Sequence, residues 1–97
     1  MIVIWTVDVD PPARKEIREL PDAAKLDARR LLKGLQDSPI ELADTVLEGH
    51  TDLYAARFYR GRFRMVYRVS RKQHRVIVLR ARPRETAYEG LEPRWLA

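Results

Sequence analysis

The sequence contains no cysteine and only two histidines, His50 and His74. Disulfides and thiolate metal sites are excluded, and a histidine-based metal cluster has too few ligands, so no cofactor is implied. No apolar run approaches the ~20 residues that a membrane span requires. The opening MIVIWTVDVD is too short and too acidic for a signal peptide, which makes the cytoplasm the expected compartment and leaves no membrane role. Nor does the spacing offer a glycine-rich phosphate loop, a Ser-His-Asp set or a pair of cooperating carboxylates. The most telling absence is local. From Arg57 to Arg84 there is no acidic residue at all, while the same interval holds ten arginines and one lysine.

That interval sits in a polarised chain. Residues 1–50 carry seven Lys/Arg against ten Asp/Glu, a net of −3, and residues 51–97 carry twelve against four, a net of +8. A polyanion is the natural partner of such a field, and nucleic acid is the commonest one. Solubility alone would be served as well by lysine. The preference for arginine points to phosphate, which the rigid guanidinium fork binds through paired donors.

With 97 residues and 45% apolar composition, the chain is large enough for one core and is read as a single domain over residues 1–97. Ile2 to Val7 is apolar and β-branched, and predicts a strand with Trp5 inside it. Asp10-Pro11 reads as an N-cap with proline at the first helical position, and Ala13, Ile17 and Leu20 form one apolar stripe. Asp22 reads as the cap of a second helix, whose Ala24, Ala28, Leu31, Leu32 and Leu35 recur at helical spacing. Ile40 to Gly49 is a connector tacked down by Leu42, Val46 and Leu47. The period then becomes two. Tyr54, Ala56 and Phe58 share one strand face, and Phe63, Met65, Tyr67 and Val69 share one face of the next, joined by a hairpin turn through Arg60-Gly61. Val76 to Arg82 supplies a further strand, and 84–91 a short final helix or helical turn.

The expected fold is therefore α+β, in the order β-α-α-β-β-β-α, with a helical hairpin on one face of a mostly antiparallel sheet and the other face open. Alternation turns Arg57, Tyr59, Arg62, Arg64 and Arg68 to the open face. The last strand is expected to bury Ile77, Leu79 and Ala81 and to turn Arg80 and Arg82 outward. Together with Arg60 these make an RNA-binding surface, with Tyr59 and Tyr88 available to stack on bases. Glu85 could serve as a base, but its place at an expected helix start fits a capping role equally well. Arg64 could instead pair with Asp52 or Glu85, and Tyr88 could simply pack the last helix.

The runs LEGHTDLYAARFYRGRFRMVYRV (47–69) and VIVLRARPRETAY (76–88) resemble the RelE/ParE family of bacterial type II toxins, in particular its RelE branch. The family has the same order of elements, so the resemblance covers essentially the whole chain. It implies an mRNA interferase that enters the A site of the 70S ribosome and cuts mRNA by metal-free 2′-OH attack. It also implies an acidic, partly disordered antitoxin that holds the toxin inactive. On this resemblance Arg64 stabilises the transition-state phosphate, Arg84 serves the leaving group, Tyr88 orients or stacks a base, and Arg57 is one of two alternating basic positions. The other position is Ala55, where well-studied members carry lysine. A guanidinium is a poor proton acceptor, so cutting of free RNA is expected to be slow and proton transfer to fall to Tyr88. Two alternatives remain open at this stage: a ParE-like toxin that inhibits DNA gyrase and cuts nothing, and an RNA-binding module without catalysis.

Overall fold

The sheet runs in the spatial order β1-β5-β4-β3-β2. Its strands are β1 (Thr6–Val9), β2 (Thr45–Val46), β3 (Leu53–Phe58), β4 (Phe63–Ser70) and β5 (Arg75–Pro83), with α1 (Pro11–Arg18) and α2 (Asp22–Leu35) between β1 and β2. A computed structural model of the chain describes residues 4–47 and 52–91. Only β1 and β5 pair in parallel, and every other neighbour is antiparallel. The expected α+β architecture is the one observed.

Pro11 opens α1, where a missing amide donor costs nothing; Ala13 is buried and Ile17 half-buried on its inner stripe, and Leu20 is buried just beyond the helix. Asp22 proves to be the first residue of α2 rather than its cap, which is Pro21. Ala24, Ala28 and Leu35 face the sheet and meet Tyr54, Ala56, Phe58, Met65, Tyr67, Val69, Val76, Val78 and Ala81 in the larger core. The small alanines at the helix contacts let the hairpin lie close against the sheet.

Several expectations change at the edges. Among the described residues the first strand begins at Thr6 and runs to Val9, with the Trp5 amide donating to the Gln36 carbonyl and the Thr6 amide starting the ladder at His74. Residues 1–3 lie outside the described residues. The connector contributes a fifth strand, β2, too short to show a period. Leu47 is buried and Leu42, although partly exposed, lies against Gly34 of α2, so both tack the connector down, whereas Val46 is exposed. Of the final helix or helical turn expected over 84–91, turns are what forms: residues 84–90 make consecutive turns, with Thr86 donating to the Pro83 carbonyl and Glu89 to that of Thr86.

The alternation expected in β5 breaks at a bulge. Val66 of β4 pairs with Arg80, but the next residue, Tyr67, pairs with Val78, so Leu79 is extra. A bulge shifts the phase of every side chain beyond it. Val76, Val78 and Ala81 consequently face the helices, while Ile77 and Leu79 join Leu47, Leu53, Ala55, Val66 and Leu91 in a second, smaller core on the opposite face. That face is therefore not open throughout, and only one end of it remains available.

Tyr67 ties the sheet to the loop after α2 through a 2.7 Å hydrogen bond from its hydroxyl to the Pro39 carbonyl. Burial pushes this phenol well above its ordinary value, and the charge of Asp44 and the neighbouring Tyr54 add to the effect. The folded state thus holds the proton more tightly than the unfolded chain. The stabilisation is complete below the unfolded value of ~10 and declines as pH rises beyond it. Urea unfolding at pH 8 and pH 11 should show this loss, and a smaller one in Tyr67→Phe. At neutral pH that variant is expected to lose about 1–3 kcal/mol, because the Pro39 carbonyl is left buried and unpaired.

Candidate nucleic-acid interface

Strand register brings three arginines into one row. Arg57 of β3 lies opposite Arg64 of β4, and Arg64 lies opposite Arg82 of β5, on the face turned away from the helices. Like charges opposed in a sheet repel, so each must be compensated. Arg57 donates from its backbone amide and from Nη2 to the Asp44 carboxylate, at 2.6 and 3.2 Å. Arg82 Nε donates to Glu16 at 2.6 Å. Arg64 Nη1 lies over the carbonyls of Gly61 and Phe63, at 2.5 and 3.2 Å.

Glu16 has a second task. The ladder between β1 and β5 ends at Val78, which leaves the outer edge of β5 unpaired beyond it. The same carboxylate accepts from the Ala81 amide at 3.0 Å and closes that edge. Neither Asp44 nor Glu16 stands out in the sequence, since their partners lie 13 and 66 residues away.

The hairpin turn extends the cationic surface. Phe58 pairs with Phe63, so the loop comprises residues 59–62. Tyr59, Arg60 and Gly61 all adopt positive φ, of 51°, 57° and 77°. Side chains enter this left-handed region at a cost, and such strain recurs at functional sites. Asp27 of α2 holds the turn by accepting the Tyr59 amide at 2.5 Å. Arg60 and Arg62 project into solvent, and no carboxylate pairs with either among the described residues. The Arg84 amide donates to the Arg62 carbonyl, which puts Arg84 beside Arg62 just beyond the row. Its side chain is 66% exposed and meets Glu85 only at 3.8 Å.

Three sequence expectations need correction here. Tyr59 does not face outward with the arginines: it sits in the turn and its ring packs against Phe63 on the hairpin side, at 6.2 Å. Arg80 is not a surface cation. It is 2% exposed, because the C-terminal turns cover it and its Nη1 donates to the carbonyls of Ala87 and Glu89 at 2.9 and 2.6 Å. Arg68 occupies the far end of the face, between Leu53 and Ile77, with Nη2 sheltered. Four residues along a strand put it about 13 Å from the row.

The Arg80 clamp has a consequence for Tyr88. The carbonyls on either side of this residue are both held, Ala87 is fully buried, and the Tyr88 side chain turns outward with 41% exposure. His74 stacks on Trp5 at 3.9 Å where β5 begins, at the opposite end of the strand from Arg82, and His50 lies outside the described residues. Among the described residues no group of three His, Cys, Asp or Glu side chains is placed to hold a metal ion.

Ala55 is fully buried against Leu53, Val66 and Leu79. A lysine there has no room to reach the site, so this position is structural in this chain. Ala55→Lys is expected to cost roughly 1–3 kcal/mol from overpacking alone, readable as a lowered midpoint in urea.

The family model described as the ParE toxin of the parDE type II toxin–antitoxin system matches residues 7–88. The chain belongs to this family. Solved RelE toxins are similar to this chain in structure. The E. coli RelBE complex contains a chain 28% identical, with a TM-score of 0.70 over 81% of this chain and 95% of that one. An archaeal RelE-RelB complex from Pyrococcus horikoshii gives 27% identity and a TM-score of 0.67, over 84% and 96% of the two chains. The RelBE2 complex of Mycobacterium tuberculosis matches at 24% identity and a TM-score of 0.72, over 84% and 100%, a likeness of fold. No curated protein sequence matches. The protein is thus a toxin of the RelE/ParE superfamily. Among the described residues no helix of this ParE-family toxin is long and apolar enough to cross a membrane.

Proposed function

We propose that this toxin is a ribosome-dependent endoribonuclease that cleaves mRNA in the A site. The observation that carries the reading is the arginine row Arg57–Arg64–Arg82, continued by Arg62 and Arg84, beside a Tyr88 that Arg80 holds outward. In the reaction the ribose 2′-oxygen attacks the adjacent phosphorus and the bond from phosphorus to the 5′-oxygen breaks. The products are a 2′,3′-cyclic phosphate and a 5′-hydroxyl. The proton leaves the 2′-hydroxyl and one is returned to the departing oxygen, so no water or metal is consumed.

Arg64 and Arg84 neutralise the charge that grows on the phosphoryl oxygens, and Arg57, Arg60, Arg62 and Arg82 position the flanking phosphates. Arg57 and Arg82 must share their carboxylate partners with the RNA or exchange them for it. Tyr88 orients the reacting nucleotide and carries the proton in this reading. Guanidinium groups are poor bases, so the rate depends on the geometry that the ribosome imposes, and free RNA is cut slowly.

The cationic half of the chain also suits an acidic antitoxin segment, and the E. coli, P. horikoshii and M. tuberculosis relatives were each solved as complexes with antitoxins. Co-expression with the neighbouring reading frame should yield a stable pair and relieve toxicity.

A second reading rests on the match to the ParE model and on the row arginines being already compensated. In that case the toxin inhibits DNA gyrase without cutting RNA. Induction in bacteria followed by mapping of new mRNA 5′ ends separates the two. Cuts confined to translated frames and absent in Tyr88→Ala support the nuclease; growth arrest with intact mRNA and altered DNA supercoiling supports gyrase inhibition.

A further inference from the structure

The β3-β4 turn does not hold its shape by local preference. Tyr59 and Arg60 take left-handed φ values of 51° and 57° without being glycine, asparagine or aspartate, so neither residue favours the conformation it adopts. One bond inside the turn, from the Arg62 amide to the Tyr59 carbonyl at 3.1 Å, closes it. A further constraint comes from outside, where Asp27 Oδ2 accepts the Tyr59 amide at 2.5 Å. Ala24 and Ala28, on either side of Asp27 in α2, are fully buried in the core against the sheet. The carboxylate therefore stands on a rigid support. Among the described residues Asp27 makes no ion pair, which leaves the Tyr59 amide as its task.

Two arginines of the interface depend on carbonyls of this turn. The Gly61 carbonyl accepts Arg64 Nη1 at 2.5 Å, and the Arg62 carbonyl accepts the Arg84 amide at 2.9 Å. Both carbonyls follow directly on the left-handed residues, so a change of φ at Tyr59 or Arg60 swings them together. Asp27 is thus joined through the turn to Arg64 and to Arg84.

We propose that Asp27 is a positioning residue, which fixes the left-handed turn and through it sets the Arg64 guanidinium and the Arg84 backbone in one geometry. Its consequence for catalysis rests on the nuclease reading, in which these two arginines meet the growing phosphoryl charge. The positioning itself can be read without cleavage. A reacting group displaced by about 1 Å costs on the order of 10²-fold in rate. Asp27 stands on the helical side of the sheet, away from the arginine row, so the loss should fall on kcat and leave KM for programmed ribosomes unchanged.

Asp27→Ala removes the acceptor and keeps a strong helix former in α2. Asp27→Asn retains an oxygen that can accept the Tyr59 amide. Tyr67→Phe controls for lost stability, since it weakens the core away from the turn. In the purified toxin, Asp27→Ala should speed amide exchange at Tyr59 and Arg84 roughly tenfold relative to the strands, as loss of a hydrogen bond provides. The side-chain nitrogen resonances of Arg64 should shift with it. Asp27→Asn should resemble the parent, and Tyr67→Phe should leave the Arg64 resonances unmoved. On ribosomes, kcat is expected to fall about 10²-fold in Asp27→Ala at constant KM and to recover in Asp27→Asn. Parental Arg64 and Arg84 signals in Asp27→Ala, or a kcat loss that Tyr67→Phe reproduces, would overturn the proposal and leave the nuclease reading standing. Shifted signals in a toxin that leaves mRNA intact would uphold the positioning and remove the nuclease reading.

Discussion

Arg84→Ala is expected to reduce mRNA cleavage by about 10²–10³-fold, the usual loss when one preorganised donor to a developing oxyanion is removed. The side chain is 66% exposed and, among the described residues, its only ionic contact is the 3.8 Å approach to Glu85, so the fold should be untouched. Loss of activity with an unchanged unfolding curve would thus be a statement about chemistry. Arg84→Lys keeps the charge but not the fork, and should fall between the two. The readout is the abundance of new 5′ ends at equal expression. If Arg84→Ala cuts as well as the parent, the transition-state charge is not held at this end of the sheet. In that event the row alone remains as the phosphate site, and Arg64→Ala becomes the deciding variant.

Arg80→Met should have the largest effect on stability, and through it on Tyr88. The buried guanidinium serves the carbonyls of Ala87 and Glu89, both of which lose their donor in the variant. Hydrogen bonds to a charged group contribute about 1.5–3 kcal/mol each, and a buried acceptor without a partner costs about 1–3 kcal/mol. Methionine fills similar apolar space and avoids a cavity, which isolates the polar loss. A net cost of roughly 2–4 kcal/mol is expected, visible as a thermal midpoint lowered by about 10 °C or more. The turns at 84–90 should then exchange their amide hydrogens faster than β3 and β4, because the loss is local. Cleavage should fall with them even below the unfolding temperature, since Tyr88 is no longer held outward. Uniformly fast exchange would mean that Arg80 supports the whole sheet rather than the terminal turns.

Much of the architecture was legible from periodicity. A spacing of three and four over Ala24 to Leu35 and a spacing of two over Tyr54 to Val69 each survive in the structure, because each face borders one continuous core. The reading failed where side chains obeyed something other than period. The bulge at Leu79 shifts the phase of β5, and no local residue announces it. Arg80 was taken for a surface cation since arginine is seldom buried, yet the two carbonyls of the terminal turns compensate its desolvation. Over 84–91 a continuous helix does not form. Arg80 instead engages the carbonyls of Ala87 and Glu89, and the Arg84 amide is drawn back to Arg62.

By itself the sequence determined the kind of fold and the charge a partner must answer: the two hydrophobic periods call for a helical hairpin on a sheet, and ten arginines without an acid between Arg57 and Arg84 make one half of the chain strongly cationic. Composition and periodicity are local properties, and a single chain can display them before it folds. Tertiary structure decided which arginines are free. Asp44 neutralises Arg57, Glu16 neutralises Arg82, and Arg80 is spent on the terminal turns, while Arg60, Arg62 and Arg84 remain open to solvent. These pairings join residues far apart in the chain, and electrostatic compensation acts through space, so only the folded register could choose among cations that the sequence left equivalent.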